Sequence, residues 1–173
     1  MTTVAHTPSL LTRLNTTGHR TAGNVFLAIV IAHWAEHLVQ AFRIWVLGWP
    51  VPDSRGVFGQ WFPWLVRTEA LHYGYALVML GGLILLRPGF TGAARPWWTV
   101  ALVIQCWHFV EHFLLLIQAQ TGDHLLGRPV PTSVLQLAFP RVELHLAYNA
   151  LVFVPMAYAV TLARPPALAT RAI

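Results

Sequence analysis

Apolar residues run in four long blocks along the 173-residue chain, each broken by proline, glycine or arginine. The blocks cover roughly Asn24 to Leu47, Trp64 to Leu86, Trp97 to Ala119 and Arg141 to Ala163. A helix that spans a bilayer needs about 20 residues, so each block predicts one transmembrane helix. Gly48-Trp49-Pro50-Val51-Pro52 ends the first, Arg87-Pro88-Gly89 ends the second, and Arg95-Pro96 opens the third. A longer connection over 120–140 holds Gly122, Gly127, Pro129, Pro131 and Pro140. Trp45, Trp49, Trp61, Trp64, Trp97 and Trp98 fall near the predicted helix ends, where amphipathic rings meet lipid headgroups.

The polar positions inside these blocks change the picture. Residues 33–37 read HWAEH and residues 108–112 read HFVEH, both His-x-x-Glu-His. Six of the nine histidines lie in predicted helices: His33, His37, His72, His108, His112 and His145. Four of the six acids do too, one per helix: Glu36, Glu69, Glu111 and Glu143. An ionisable residue at mid-helix costs roughly 2.5–3.5 kcal/mol on insertion scales, so ten of them cost on the order of 20 kcal/mol even after a discount for histidine and depth. A domain's net stability is only about 5–15 kcal/mol. These side chains must therefore satisfy one another or hold a ligand.

Helical geometry lets them meet. At about 100° per residue, His33, Glu36 and His37 share one face, as do His108, Glu111 and His112. Glu69 and His72 are three apart and share a face. Glu143 and His145 are two apart and do not, unless Pro140 distorts that first turn; an ion pair of Glu143 with Arg67 or Arg43 is the other expectation. Antiparallel neighbours bring the four groups to similar depth, within roughly one helical turn. Gln40, Gln105, Gln118 and Asn149 are candidates to orient ligand histidines or to bond helix to helix. Gly81-Gly82 is read as a place of close helix packing.

The chain also repeats itself. Each His-x-x-Glu-His is followed by a helix with Arg, Glu, His and Tyr in order: RTEALHYGY at 67–75 and RVELHLAY at 141–148. The expected fold is all-α, an integral-membrane four-helix bundle made of two duplicated helical hairpins. Their pseudo-twofold would run along the membrane normal. Tyr75 and Tyr148 each follow a histidine by three and are candidate catalytic groups.

Two matched ligand sets predict two divalent metal ions. Di-metal carboxylate proteins build such centres in bundles from glutamates and Glu-x-x-His, and four carboxylates would neutralise two divalent ions. Mixed imidazole and carboxylate donors favour iron first, with zinc or manganese also suited. His33/His37 and His108/His112, as His-x-x-x-His on membrane helices, resemble the motifs of integral-membrane di-iron hydroxylases and desaturases. That family's His-x-x-His-His is absent, and the chain is short for it. The resemblance implies O2-dependent oxidation of an apolar or lipid substrate. Arg43, Arg67 or Arg141 are candidates to hold an anionic headgroup. Other readings of the residues are a b-type haem electron-transfer subunit, a zinc-dependent membrane hydrolase and a metal transporter. His-x-x-Glu-His also matches a protease motif, which two symmetric copies inside spans fit poorly.

Composition agrees with a membrane protein: 56% of residues are hydrophobic and 10% charged, against about a quarter charged in soluble domains. Cys106 is the one cysteine, which excludes a disulfide framework and a cysteine-based zinc ribbon. The net charge of +5 is carried by arginine alone and is scattered, which argues for headgroup anchoring and against nucleic acid. Residues 1–22 predict a loose cytoplasmic tail without a signal peptide, 23–164 the transmembrane domain and 165–173 a second tail. The tail's composition also fits an organelle transit peptide. Arg13, Arg20, Arg87, Arg95, Arg164 and Arg171 on one side place both termini in the cytoplasm. No nucleotide motif is present, so reducing equivalents would come from an electron-donor protein, quinone or a larger membrane complex.

Overall fold

The computed structural model describes residues 8–163. Among these the chain is helical, without strands. The helices are α1 (Leu10–Leu14), α2 (His19–Trp45), α3 (Val57–Trp61), α4 (Pro63–Arg67), α5 (Ala70–Leu86), α6 (Ala94–Thr121) and α7 (Arg141–Leu162). Four of them are long and apolar enough to cross a membrane: α2 with 27 residues, α5 continued to Gly89 with 20, α6 with 28 and α7 with 22. Packing is cyclic. α2 and α6 each pack on both α5 and α7, and the short turn between α5 and α6 makes those two antiparallel.

The half of the bundle beside the α5–α6 turn is filled by apolar side chains, with Phe26, Leu83, Trp98, Val152 and Met156 buried at its centre. Trp98 departs from the expected interfacial position. It is only 1% exposed, its indole donates to the Leu83 carbonyl at 2.8 Å, and its ring stacks on Phe90 at 3.9 Å. Burial satisfies both ends of this amphipathic ring. Trp45, Trp49, Trp61, Trp64 and Trp97 remain exposed, as interface residues would.

Gly82 lies against Phe26, and an added Cβ would overlap that ring, whereas a Cβ on Gly81 meets nothing within 4 Å. Two adjacent glycines thus have opposite expected responses to alanine. Gly82→Ala should destabilise the bundle by about 1–3 kcal/mol through overpacking. Gly81→Ala should be neutral or stabilise by up to about 1 kcal/mol from helix propensity. Thermal unfolding of both variants in detergent checks the pair.

Two expected boundaries shift. The segment expected to be a loose tail over 1–22 is helical at Leu10–Leu14 and again from His19. Asn15 fixes it: its amide donates to the Leu85 carbonyl at 2.8 Å, and its carbonyl accepts from the Gly89 amide at 2.8 Å. Residues 1–7 and the tail expected at 165–173 lie outside the described residues. The helix expected from Trp64 instead breaks into α4 and α5. Pro63 starts α4, and Glu69 then takes a left-handed conformation, φ 59° and ψ 3°, before α5 begins. That backbone is uncommon for a residue with a side chain, and it persists where surrounding contacts hold it.

Candidate metal centre

His33 and His37 sit one turn apart on α2, His108 and His112 one turn apart on α6, His72 on α5 and His145 on α7. The four helices bring all six rings together. Centroids are 4.8 Å apart for His33–His37 and 4.4 Å for His108–His112. Across helices they are 5.1 Å for His112–His145, 5.3 Å for His37–His145, 5.6 Å for His72–His145 and 5.8 Å for His72–His112. Five of the six are buried, and His72 is nearly so.

Nitrogen pairing decides what this cluster can do. His145 Nδ1 lies 2.8 Å from the Arg141 carbonyl, which only accepts, so Nδ1 carries the hydrogen. A neutral His145 then points a bare Nε2 lone pair into the protein, the tautomer of a histidine whose far nitrogen is held by a backbone carbonyl. That Nε2 is buried and has no hydrogen-bond partner. The same holds for His33 Nδ1, His37 Nε2, His108 Nδ1 and His112 Nδ1. The one bond inside the cluster joins His108 Nε2 and His112 Nε2 at 3.1 Å. His72 Nδ1 stands 3.3 Å from Glu69 Oε2, near enough for an ion pair but off the line of a hydrogen bond. Each buried polar atom left unpaired costs roughly 1–3 kcal/mol.

The glutamates divide. Glu36 and Glu111 each reach a connection beyond the end of their helix. The Phe58 amide, in the first turn of α3, donates to both Glu36 oxygens at 3.0 and 3.1 Å. The Leu135 amide, opening the short 3-10 turn Leu135–Leu137, donates to Glu111 at 2.9 Å. Glu69 accepts from Arg141 at 2.6 and 2.7 Å as it faces His72. Glu143, expected as one of four carboxylate ligands, is exposed and lies outside the cluster, because in a regular helix a two-residue offset turns it away from the face of His145. The expected ion pair of Glu143 with Arg67 or Arg43 is not formed. Arg43 donates to the Arg55 carbonyl and covers the Trp49 ring, and Arg67 is exposed. The buried ion pair is instead Arg141 with Glu69.

Tyr75 lies on His33 and Tyr148 on His108, at centroid distances of 4.3 and 4.2 Å. The Tyr148 hydroxyl is buried without a partner. Gln105 donates to the Ala76 carbonyl, and Gln118 holds the 122–134 connection through Thr132 and Leu125. Asn149 donates to the His145 carbonyl one turn back. Gln105 thus bonds helix to helix, and Gln118 ties a helix to a loop.

Two small cavities flank the rings. One, of about 40 Å³, is lined by His33, Glu36, His37, His72, Tyr75 and Arg55 among others. The second, of about 10 Å³, is lined by His33, His108, His112, Tyr148, Gln105 and Asn149 among others. Among the described residues, no three His, Cys, Asp or Glu side chains are disposed to hold a metal ion as they stand. The donors are gathered, but their lone pairs do not converge.

The Glu36 latch yields a prediction that separates two roles. If the carboxylate only tethers α3, Glu36→Ala loses a charged hydrogen bond. Local opening at Phe58 then becomes easier by roughly 1.5–3 kcal/mol, with metal content unchanged. A carboxylate that also binds metal loses both. Amide exchange at Phe58 and metal analysis of one sample read the two effects, and we expect both. The sequence spacing gave no sign of the Phe58 and Leu135 amides or of the Glu69–Arg141 pair, since all depend on how loops return to the bundle.

Compared with protein-family models, with curated proteins and with solved structures, the chain matches none.

Proposed function

We propose that the chain is an integral-membrane metalloprotein whose histidine cluster holds two divalent ions, iron first, and that it oxidises an apolar or lipid substrate with O2. One observation carries this reading: six imidazoles from four helices lie together with ring nitrogens buried and unpaired. Left so, these atoms would cost a sum comparable to a domain's net stability. Metal coordination is the interaction that turns several bare imidazole lone pairs into stabilisation.

His33, Glu36, His37 and His72 form one donor set, and His108, Glu111, His112 and His145 form the other. Modest ring rotations are required for convergence. Backbone amides at Phe58 and Leu135 orient the two carboxylates, and the Arg141 carbonyl orients His145, as outer partners of metal ligands do. Glu143 has no place in the set, and Glu69 is neutralised by Arg141. Two carboxylates then leave two divalent ions with a positive excess, which favours an anionic ligand or substrate head in the site. Iron so held supplies Lewis acidity and electrons for O2 activation. One oxygen atom would enter a substrate C–H bond and the other leave as water, with two electrons and two protons drawn from a partner protein or quinone. Tyr75 and Tyr148, whose rings lie tilted against His33 and His108, are placed to pass a proton or an electron to the centre.

Other readings fare less well. A tetrapyrrole needs a cavity on the order of 300 Å³ or more, far above the 40 and 10 Å³ beside these rings. Transport would call for ligands spread through the membrane depth, and these form one layer. Zinc hydrolysis uses the same donors and stays as the second reading.

The two-hairpin repeat is supported by matched pairs: His33 with Tyr75 and His108 with Tyr148, Glu36 on a loop amide and Glu111 on another. Both termini are proposed to be cytoplasmic from the arginines, of which Arg164 and Arg171 lie outside the described residues. The functional test is oxygen uptake by protein loaded with iron, in nanodiscs with a chemical reductant and a lipid extract. Uptake that ends when zinc replaces iron supports the oxidase. No uptake with iron, together with ester cleavage by the zinc form, would replace it with the hydrolase.

A further inference from the structure

The sequence reading offered Arg43, Arg67 or Arg141 for a headgroup, yet Arg43 and Arg141 are engaged by the protein itself. Arg87 and Arg95, at the other end of the bundle, keep guanidinium nitrogens free among the described residues. Where α5 turns into α6, a surface groove of about 660 Å³ is lined by Arg87, Arg95, Thr99, Val100, Val103 and Ile104, with Gly92 and Pro96. Arg87 Nε donates to Thr99 Oγ1 at 3.1 Å, and Thr99 Oγ1 donates to the Arg95 carbonyl at 2.8 Å. This fixes one edge of the Arg87 guanidinium. Its terminal nitrogens and the whole Arg95 guanidinium have no protein partner among the described residues.

No acidic side chain lies at this end of the described residues to pair with them. All six acids belong to the other half of the molecule: Glu36 and Glu111 past the middle of α2 and α6, Asp53 and Asp123 beyond those helices, Glu69 and Glu143 where α5 and α7 begin. Residues 1–7 and 164–173 contain no Asp or Glu either. The groove's remaining wall is an apolar strip down α6, with Val103 63% and Val100 43% exposed.

We infer that this groove binds an anionic phospholipid, its phosphate between Arg87 and Arg95 and one acyl chain along Val100, Val103 and Ile104. Charge selects the headgroup, because two guanidiniums without a carboxylate partner among the described residues attract an anion in a lipid-facing groove. The adjoining apolar strip selects a lipid over a free phosphate ion. Arginine matches the planar fork of phosphate oxygens. The inference rests on the membrane placement proposed above and is independent of the metal.

The test is native mass spectrometry of the full chain in detergent, titrated with phosphatidylglycerol, phosphatidylcholine or inorganic phosphate. Phosphatidylglycerol should bind preferentially. Arg87→Gln with Arg95→Gln should weaken it by about 30-fold, at roughly one arginine's worth of surface attraction each. Arg13→Gln with Arg20→Gln, at the same end but outside the groove, should leave it unchanged, and Val103→Asn should weaken the lipid alone. Equal binding of both lipids, equal loss in both double variants, or phosphate binding as tight as lipid would overturn the site. Metal content measured on the same samples should not move. A chain that stays soluble without detergent would instead remove the membrane placement.

Discussion

Purified His112→Ala protein is expected to retain less than about a tenth of the metal bound by the parent chain, since losing even an outer partner of a ligand costs 10–100-fold in affinity. His112 touches three other rings of the cluster and shares its one internal hydrogen bond. It lies 3.1 Å from His108 Nε2, parallel to His72 within 3°, and 5.1 Å from His145. Its loss should empty one donor set and loosen the other. His124→Ala is the matched control, because His124 sits in the connection after α6 and its ring bonds only to the Arg128 carbonyl. Bound metal stabilises the folded state in proportion to its affinity, so a chelator should lower the unfolding temperature of the parent and of His124→Ala, and leave His112→Ala where it is. Equal metal in all three proteins would leave the cluster as a set of packed rings.

Arg141→Gln should be the most destabilising single change outside the core. The Glu69 side chain is 6% exposed and that of Arg141 35%. Removing one partner of a buried pair costs roughly 3–5 kcal/mol, because the other charge stays buried and uncompensated. The partial exposure of Arg141 places the expected loss at the lower end of that range. Glu69 also holds a left-handed backbone at the break before α5 and faces His72, so the variant should bind metal more weakly too. Glu69→Gln combined with Arg141→Gln removes both charges and should be more stable than Arg141→Gln alone. Thermal unfolding of the two single variants and the double variant gives the coupling directly.

Much of this was legible in the sequence, and the residues show why. Hydrophobic length alone marks four helices, and three- and four-residue spacing on one helix face needs no tertiary information. That is why His33 with His37, and His108 with His112, could be paired in advance. Glu143, expected as a fourth carboxylate ligand if Pro140 distorts the first turn of its helix, is exposed and stays out of the cluster, as a regular helix leaves it with a two-residue offset from His145. Left-handed Glu69 had a faint signal: Glu69-x-x-His72 carries one residue more than Glu143-x-His145, and an extra residue in a helix must be absorbed somewhere. Trp98 departs from the interfacial expectation because nearness to a helix end does not say which face a ring is on. The amide partners of Glu36 and Glu111 had no signal at all, being set by how the 46–62 and 122–140 connections fold back.

Elemental analysis of the purified, detergent-solubilised chain, with its optical spectrum, is the most direct test of the central claim. The proposal expects about two iron or manganese atoms per chain, matching two donor sets, and no Soret band. A well-folded protein free of metal, with an unfolding temperature that a chelator does not change, would contradict it.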